Sequence, residues 1–291
     1  MDKFGRNYSL NVELENKETL TIGLPFTMEF DIVRKINSSA NTANIKIYNL
    51  AKDNRNQIRF NWNDRGTARA VTLQAGYGNA LSIMHYGQIQ QAFSYRQGVD
   101  FITEITSFDG GFDFMNSRID DNIPATQANP LPKKELFINL VNRFNYIKVG
   151  TIGNYVGSYT RSIPYSKPTV DILKEEFGDG FFVDNGIANC LQDNEYIPAN
   201  EVPVINSLSG LLGTPILQEQ ILTFDMLFEP RLILGQLIEL QSSTFTDSEG
   251  NDLDNFYKTN GIHHKGVISP VVSGSAITSV EMYNLGSLTP V

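Results

Sequence analysis

Two adjacent imidazoles, His263 and His264, are the most conspicuous chemical pair in a 291-residue sequence that has only one other histidine, His85, and one cysteine, Cys190. They sit in TNGIHHKGVIS, a strand-like run, and neighbours on a strand point to opposite faces, so one metal cannot take both. The reading for the pair is structural or surface. With so few imidazoles and thiols, neither a Ser-His-Asp nor a Cys-His nucleophile system is supported, and a zinc site built on several thiolates is excluded. The acidic run Asp247, Glu249, Asp252 and Asp254 supplies oxygen ligands, but its spacing departs from a twelve-residue calcium loop, so it reads as a solvated hairpin tip. Asp120-Asp121 and Glu175-Glu176 are adjacent pairs that do not face one another across a glycoside, and both are assigned to solvent.

Other candidates give equally plain readings. The glycines around Gly76, in GYGNA, and between Gly150 and Gly157, in GTIGNYVG, match neither G-x-G-x-x-G opening a helix nor a P-loop, and read as turns. Phe108, Phe112 and Phe114 would suit a sugar or base platform, but aromatics are ordinary core material in sheets. No catalytic, cofactor-binding or metal-ligating residue is therefore assigned, and no cofactor is expected.

The elements around these residues are mostly strands. From Tyr8 to Tyr48 the apolar residues recur every second position, as Tyr8, Leu10, Val12 and Leu14 do in YSLNVEL. FTMEFDIVRKI and ANIKIYNL repeat the pattern, AKDNRNQIRF allows one short helical turn, and AVTLQAGYG, ALSIMHYGQIQQAFSYRQ and VDFITEITSFDG resume it. Closely spaced short strands suggest a barrel or sandwich. Near Ile119 the composition shifts. DDNIPATQANPLP reads as a loop, and Pro132 opens a helix, KKELFINLVNRF, whose apolar face carries Leu136, Phe137, Leu140, Val141 and Phe144. A glycine-rich stretch, TIGNYVGSYTRSIPYS, leads to a second helix at PTVDILKEEF, with Pro168 near its start. A hairpin then turns at Asp184-Asn185-Gly186. From about Val202 the period of two returns through ILTFDMLFE, RLILGQLIELQ and the closing pair NFYKTNGIHHKGVIS and SAITSVEMYNL, with GLLGTP as a lead-in. No repeat of 20–50 residues is present, although the two β regions allow distant copies of one barrel.

Composition narrows the class. Apolar residues make up 41% and charged residues 19%, which is globular, and Asp plus Glu exceed Lys plus Arg by 32 to 23 with no basic cluster, which argues against a phosphate grip. No basic start followed by an apolar core marks a signal peptide, and no uninterrupted apolar run reaches the roughly 18 residues of a membrane helix, so no membrane anchor is expected. Synthesis and assembly in the cytoplasm follow, and a reducing compartment suits the single cysteine.

TFDMLFEPRLILGQLIEL, residues 223–240, combines these themes. In its first half Phe224, Met226 and Phe228 share one face. In its second half apolar residues occupy both faces, and such a strand must be covered on both sides. Pro230 belongs at a strand end, and Gly235 suits a bulge or a close backbone approach. The expectation is a curled sheet whose outer face also meets protein, pressed on by sister copies.

GLLGTP, then LFEPRLILGQLIEL, then GIHHKG before a final strand, resembles the C-terminal barrel of phage baseplate hub proteins. ANIKIYNLAKDNRNQI resembles that family's opening strand and short arginine-bearing helix. The resemblance implies a mainly β fold with a small α+β insert: two tail-tube-like β-barrels flanking a middle α+β domain, with boundaries at 1–118, 119–201 and 202–291. It implies a structural baseplate hub subunit of a contractile-type phage tail or a related injection machine, forming a homotrimeric ring that adapts the six-fold tail tube to the three-fold central spike. The implied partners are the tail tube or a tube-initiator protein, the central spike, the tape measure and baseplate wedge proteins. DNA passes through the channel without specific binding, consistent with the acidic balance, and the place of action is the virion tail baseplate. No enzyme activity is expected. The competing classes are a β-rich polysaccharide hydrolase, for which Asp109, Asp113, Asp225 and Glu229 are the carboxylates to test, and a carbohydrate-binding tail component.

Overall fold

The structure, a computed structural model, describes residues 4–36, 40–61, 67–242, 255–283 and 288–291. The acidic run from Asp247 to Asp254 lies outside the described residues. Alternation builds the first part of the chain. Strands β1 (Arg6–Glu13), β2 (Thr19–Gly23), β3 (Met28–Lys35) and β4 (Thr42–Tyr48) are followed by helix α1 (Lys52–Ile58), then β5 (Phe60–Asn61), β6 (Ala70–Tyr77), β7 (Ala80–Gln97) and β8 (Asp100–Phe108). Every second side chain turns inward: Tyr8, Leu10 and Val12 in β1, Met28, Phe30 and Ile32 in β3, Ala43, Ile45 and Ile47 in β4. Burying one face of each strand this way is what a period of two dictates. The strands pair in the order β2-β1-β6-β7-β8-β4-β3 and roll around one core.

The middle of the chain is a small α+β unit. It contains α2 (Gly111–Asn116), β9 (Arg118–Ile123), β10 (Leu131–Pro132), α3 (Lys133–Val141), β11 (Lys148–Ile152), β12 (Ser158–Tyr159), β13 (Ile163–Pro168), α4 (Thr169–Phe177), a 3₁₀ turn at Gly178–Gly180, β14 (Phe181–Asp184), β15 (Ile187–Cys190) and β16 (Glu195–Tyr196). Leu136, Phe137, Leu140, Val141 and Phe144 pack with Ile172, Leu173 and Phe177 of α4 in a separate core, as the helical spacing predicts. Two segments differ from the sequence reading. The supposed loop after Ile119 begins inside β9, which pairs antiparallel with β13, and the supposed glycine-rich linker contributes to β11, β12 and β13. These ladders escape notice because β9, RIDDNI, buries only Ile119 and Ile123, so it leaves no alternating pattern to detect.

The last part comprises β17 (Val204–Ile205), β18 (Leu211–Gln218), β19 (Ile221–Leu227), β20 (Leu237–Leu240), β21 (Asn255–Ile268), β22 (Ala276–Tyr283) and β23 (Thr289–Pro290). GLLGTP is no lead-in; it opens β18, the edge strand of the sheet, where Pro215 sacrifices no ladder bond to a further strand. β21 is the hinge of the architecture. It pairs with β20 and β22 on the C-terminal side and, from Gly261 to Ile268, antiparallel with β3. The two barrels are thereby fused into one 14-stranded sheet. Both cores lie on the same side of that sheet, since β3 sends Ile32 into the first and its extension sends Ile36 into the third, while β21 sends Ile268 and Ile262 likewise.

The expected strand through residues 231–241 is the main correction. Only Leu237–Leu240 forms a strand. The preceding segment is irregular, because Gly235 sits at φ +77°, a left-handed conformation that L side chains avoid. Its amide donates to the Thr259 carbonyl at 2.8 Å, and its carbonyl accepts from the Ile197 amide at 2.8 Å. A Cβ there would lie 2.9 Å from Leu191 and 3.3 Å from Phe182. Leu232 and Leu234 of the doubly apolar run are covered by the chain itself, while Ile233 between them is 36% exposed.

Candidate functional site: the buried seam and the outer sheet face

In FTMEFDIVRKI the inward phase runs Met28, Phe30, Ile32, Arg34, Ile36, so an arginine occupies a core position. Arg34 is completely buried. A buried guanidinium needs partners on every side, or its desolvation is prohibitive. It donates to the Leu232 carbonyl at 2.6 Å and to the Met84 carbonyl at 3.4 Å, and its Nε lies 3.4 Å from Asp184 Oδ1. Those partners come from the C-terminal loop, from β7 and from the hairpin β14–β15, so one side chain ties together three parts of the chain.

The same hairpin is held from all directions. Asp109 accepts from the Gly186 amide at 2.8 Å, Asn185 accepts from the Tyr86 amide at 3.0 Å, and Asn41 donates to the Val183 carbonyl at 2.7 Å. Asp184 Oδ2 accepts from the Leu234 amide at 3.3 Å. The Asp184-Asn185-Gly186 turn predicted from sequence is present, with Asn185 at φ +55° and Gly186 at φ +76°. Burial, reinforced by the negative charge of Asp184, pushes the Asp109 carboxyl up to about 8. Burial and the nearby Arg34 hold His85 down to about 3, so it stays neutral against the Ser107 hydroxyl, 2.8 Å away. The seam thus carries one permanent cation and no free charge to offer a substrate.

His264 is buried against Thr278 at 2.9 Å, and its proton affinity falls well below the ordinary imidazole range through burial first and Arg34 second. His263 points the other way and meets Asp31 at 2.8 Å. The pair divides between the two faces, as a strand requires. Among the described residues no group of three or more His, Cys, Asp or Glu is placed to hold a metal.

On the outer face, β8, β4, β3, β21, β22 and β19 present a polar surface with a valley of about 490 Å³ near its middle. Its charges are arranged in cross-strand partnerships. Asp31 also lies 3.3 Å from Lys265, and Lys35 lies 2.7 Å from Glu281. Lys46 stands in register between Glu29 and Glu104. Burial raises Asp31, but the hydrogen bonds from His263 and Lys265 outweigh it and leave the carboxyl below its usual value. Five carboxylates, Glu29, Asp31, Glu104, Asp225 and Glu281, face three lysines, Lys35, Lys46 and Lys265. The surface is close to neutral and slightly negative.

The carboxylates proposed for a hydrolase do not share a cleft. Asp109 is buried in the seam, and Asp113 is buried within α2, where it accepts from the amides of Asn145, Tyr146 and Ile147. Asp225 lies on the outer face, and Glu229 is buried and paired with Arg231 at 2.7 Å. Asp120 and Glu175 are exposed and paired with Arg118 and Lys167. Glu176 departs from the solvent reading: it accepts the hydroxyls of Tyr159 and of Tyr165, fastening α4 to β12 and β13. Gly76 lies where a Cβ would strike the Ala80 carbonyl, and Gly150 and Gly153 abut Asn189 and Glu195, so these glycines serve close packing. Phe112 and Phe114 pack on Tyr146 and Phe144 at 5.9 and 6.0 Å and form no open platform. What sequence reasoning missed was the seam of Arg34, Asp184, Asp109 and Asn41, and the charged residue in the apolar phase of β3 was its one legible signal.

Solved structures with this fold include phage tail proteins and a secretion-system component. The 43 kDa tail protein of prophage MuSo2 from Shewanella oneidensis superposes with a TM-score of 0.60 at 9% identity, covering 94% of this chain and 97% of that one. The tail protein from Neisseria meningitidis MC58 gives 0.61 at 10% identity, covering 97% and 98%. An Escherichia coli component of the type VI secretion system, described as structurally similar to the bacteriophage T4 tail proteins gp27 and gp5, gives 0.58 at 9% identity, covering 94% and 77%. At such identities the likeness shows the fold. Among curated protein sequences none matches this chain. A family sequence model, described as baseplate hub gp41, matches residues 9–250, most of the chain, and with a tail-protein fold built on one fused sheet the chain belongs to the baseplate hub gp41 family.

Proposed function

We propose that this hub chain forms a homotrimeric ring that adapts a six-fold tail tube to a three-fold central spike and leaves a channel for DNA. Each chain contributes two barrels, so three chains present six barrel-like units to the tube above and three copies of the chain to the spike below. The division proposed is residues 1–118 and 202–291 for the barrels and 119–201 for the α+β unit. The observation that carries the reading is the outer face of the fused sheet, a polar valley on the side away from both cores. A surface hollowed on its solvent side suits curvature around an axis outside the molecule. A near-neutral wall on which Lys35 and Lys265 are paired with carboxylates also suits DNA transit without retention, because phosphate binding needs cations free to displace counterions.

The partners proposed are the tail tube or a tube initiator, the central spike, the tape measure and baseplate wedge proteins, and the site of action is the virion baseplate after assembly in the host cytoplasm. Spike association is in keeping with solved structures of PdpA–VgrG complexes, chains of which share this fold with TM-scores of 0.55 and 0.56. The role is structural and not enzymatic. Electron microscopy of the purified chain, alone and with tube and spike subunits, tests it. The expected image is a three-fold ring with a central hole, and a solid or asymmetric particle under both conditions rejects the reading.

A further inference from the structure

The outer sheet face is polar at its centre but changes character toward β18 and β19. Beside β18 a groove of about 360 Å³ is lined by Val33, Leu212 and Ile216, with the ion pair of Lys35 and Glu281 and the carboxylate of Asp225 among its polar walls. Ile216 is 57% exposed, and Leu212 on the same strand is 38% exposed. Isolated exposed apolar residues need no explanation, but several gathered on one groove mark a contact surface.

The first barrel carries a feature of the opposite form and charge. β7 and β8 run on to a hairpin tip at Gly98, where Val99 is 85% exposed. Phe101 next to it is covered on one side by the Arg55 guanidinium, 3.9 Å from the ring centroid, and lies 5.9 Å from that of Arg96. Arg96 Nε donates to the Gly98 carbonyl at 3.0 Å, which fixes the arginine beside the tip. The result is an apolar knob with two guanidinium groups, a composition that supplies binding energy at interfaces.

We infer that the β7–β8 hairpin tip of one copy docks in the β18 groove of a second copy, setting Arg96 opposite Asp225. One chain cannot satisfy the contact itself. The order β8-β4-β3-β21-β22-β19-β18 puts six strand spacings, roughly 29 Å at about 4.8 Å each, between the hairpin and Ile216 on β18 within a single sheet. The knob and the groove are different surfaces, so the contact is heterologous, and repeated around an axis it closes into a ring. The inference names the contact behind the proposed trimer and so rests on that reading, but it fails separately.

The test uses full-length chains and light scattering after size exclusion, with thermal melts as the folding control. Wild type is expected at three times the chain mass. Val99→Glu, which spoils the knob, and Ile216→Glu, which spoils the groove, are each expected at the mass of one chain. An equimolar mixture of the two is expected at twice the chain mass, because one intact knob meets one intact groove and no further copy can add. If Ile216→Glu fails its melt, Arg96→Glu serves instead: it is expected to lose the trimer, and Arg96→Glu with Asp225→Arg in one chain to regain it. A trimer that persists in Val99→Glu overturns the contact while leaving the hub reading standing, as does a folded mixture that stays at the mass of one chain. A wild type found only as single chains overturns the contact as well, and the three-fold image then decides the fate of the hub reading.

Discussion

Arg34 and Asp109 show how single residues govern this molecule. Replacing Arg34 by Met leaves Asp184 buried without its cation, and breaking a buried pair from one side costs about 3–5 kcal/mol. Arg34→Met is therefore expected to lower the urea midpoint sharply, and adding Asp184→Asn to recover part of the loss. A midpoint equal to wild type would remove the seam from any account of stability. Asp109 titrates in the opposite sense from a surface carboxylate. Its folded value near 8 lies above the ordinary 3.8, so the folded chain holds a proton that the unfolded chain has released. Its contribution is complete below about pH 4 and is lost as the pH rises through about 8. Asp109→Asn keeps an oxygen for the Gly186 amide and removes the titration. Urea midpoints at pH 5 and pH 8 should then differ less in the variant than in wild type.

Among the elements, the hairpin β14–β15 carries the heaviest duty. All four residues of β14 are buried, with Phe181 and Val183 in the α+β core and Phe182 in the C-terminal core. A strand so placed belongs to two cores at once, which explains why its alternation is lost while its turn chemistry is plain. Its counterpart is the irregular segment around Gly235, which reaches it through the Leu234 amide donating to Asp184 Oδ2. Gly235→Ala combines a disfavoured positive φ with a Cβ 2.9 Å from Leu191, and a loss of about 1–3 kcal/mol is expected in denaturant unfolding. An unchanged midpoint would mean that this segment does not hold the middle unit in place.

At the scale of the whole molecule, β21 makes the two barrels one sheet and the hairpin locks the third unit onto it. A single cooperative melting transition is expected in calorimetry despite the three separable cores, and two resolved transitions would contradict it. The outer face gives a second expectation. Asp31 is the shared partner of His263 and Lys265, so Asp31→Asn frees a cation on the surface read as the channel wall. Duplex DNA binding followed by fluorescence anisotropy should be negligible for wild type near physiological salt and detectable, with a salt dependence, for the variant. Tight binding by wild type would argue against passage over this surface. Among the described residues no helix is long and apolar enough to cross a membrane.

Local pattern settled much of this. Alternation in YSLNVEL, FTMEFDIVRKI and ILTFDMLFE determined strands and their buried faces, four-residue spacing determined α3, and Asp184-Asn185-Gly186 determined a turn, because each is a property of neighbours in the chain. Motif order brought out the family. Tertiary structure alone decided that β21 joins β3, that RLILGQ is irregular and buries Leu232 and Leu234 against its own chain, and that an arginine in an apolar phase is the tie among three units. Those outcomes depend on partners 50 to 198 positions away from Arg34, and no local period encodes which distant group will neutralise a buried charge or cover a second apolar face.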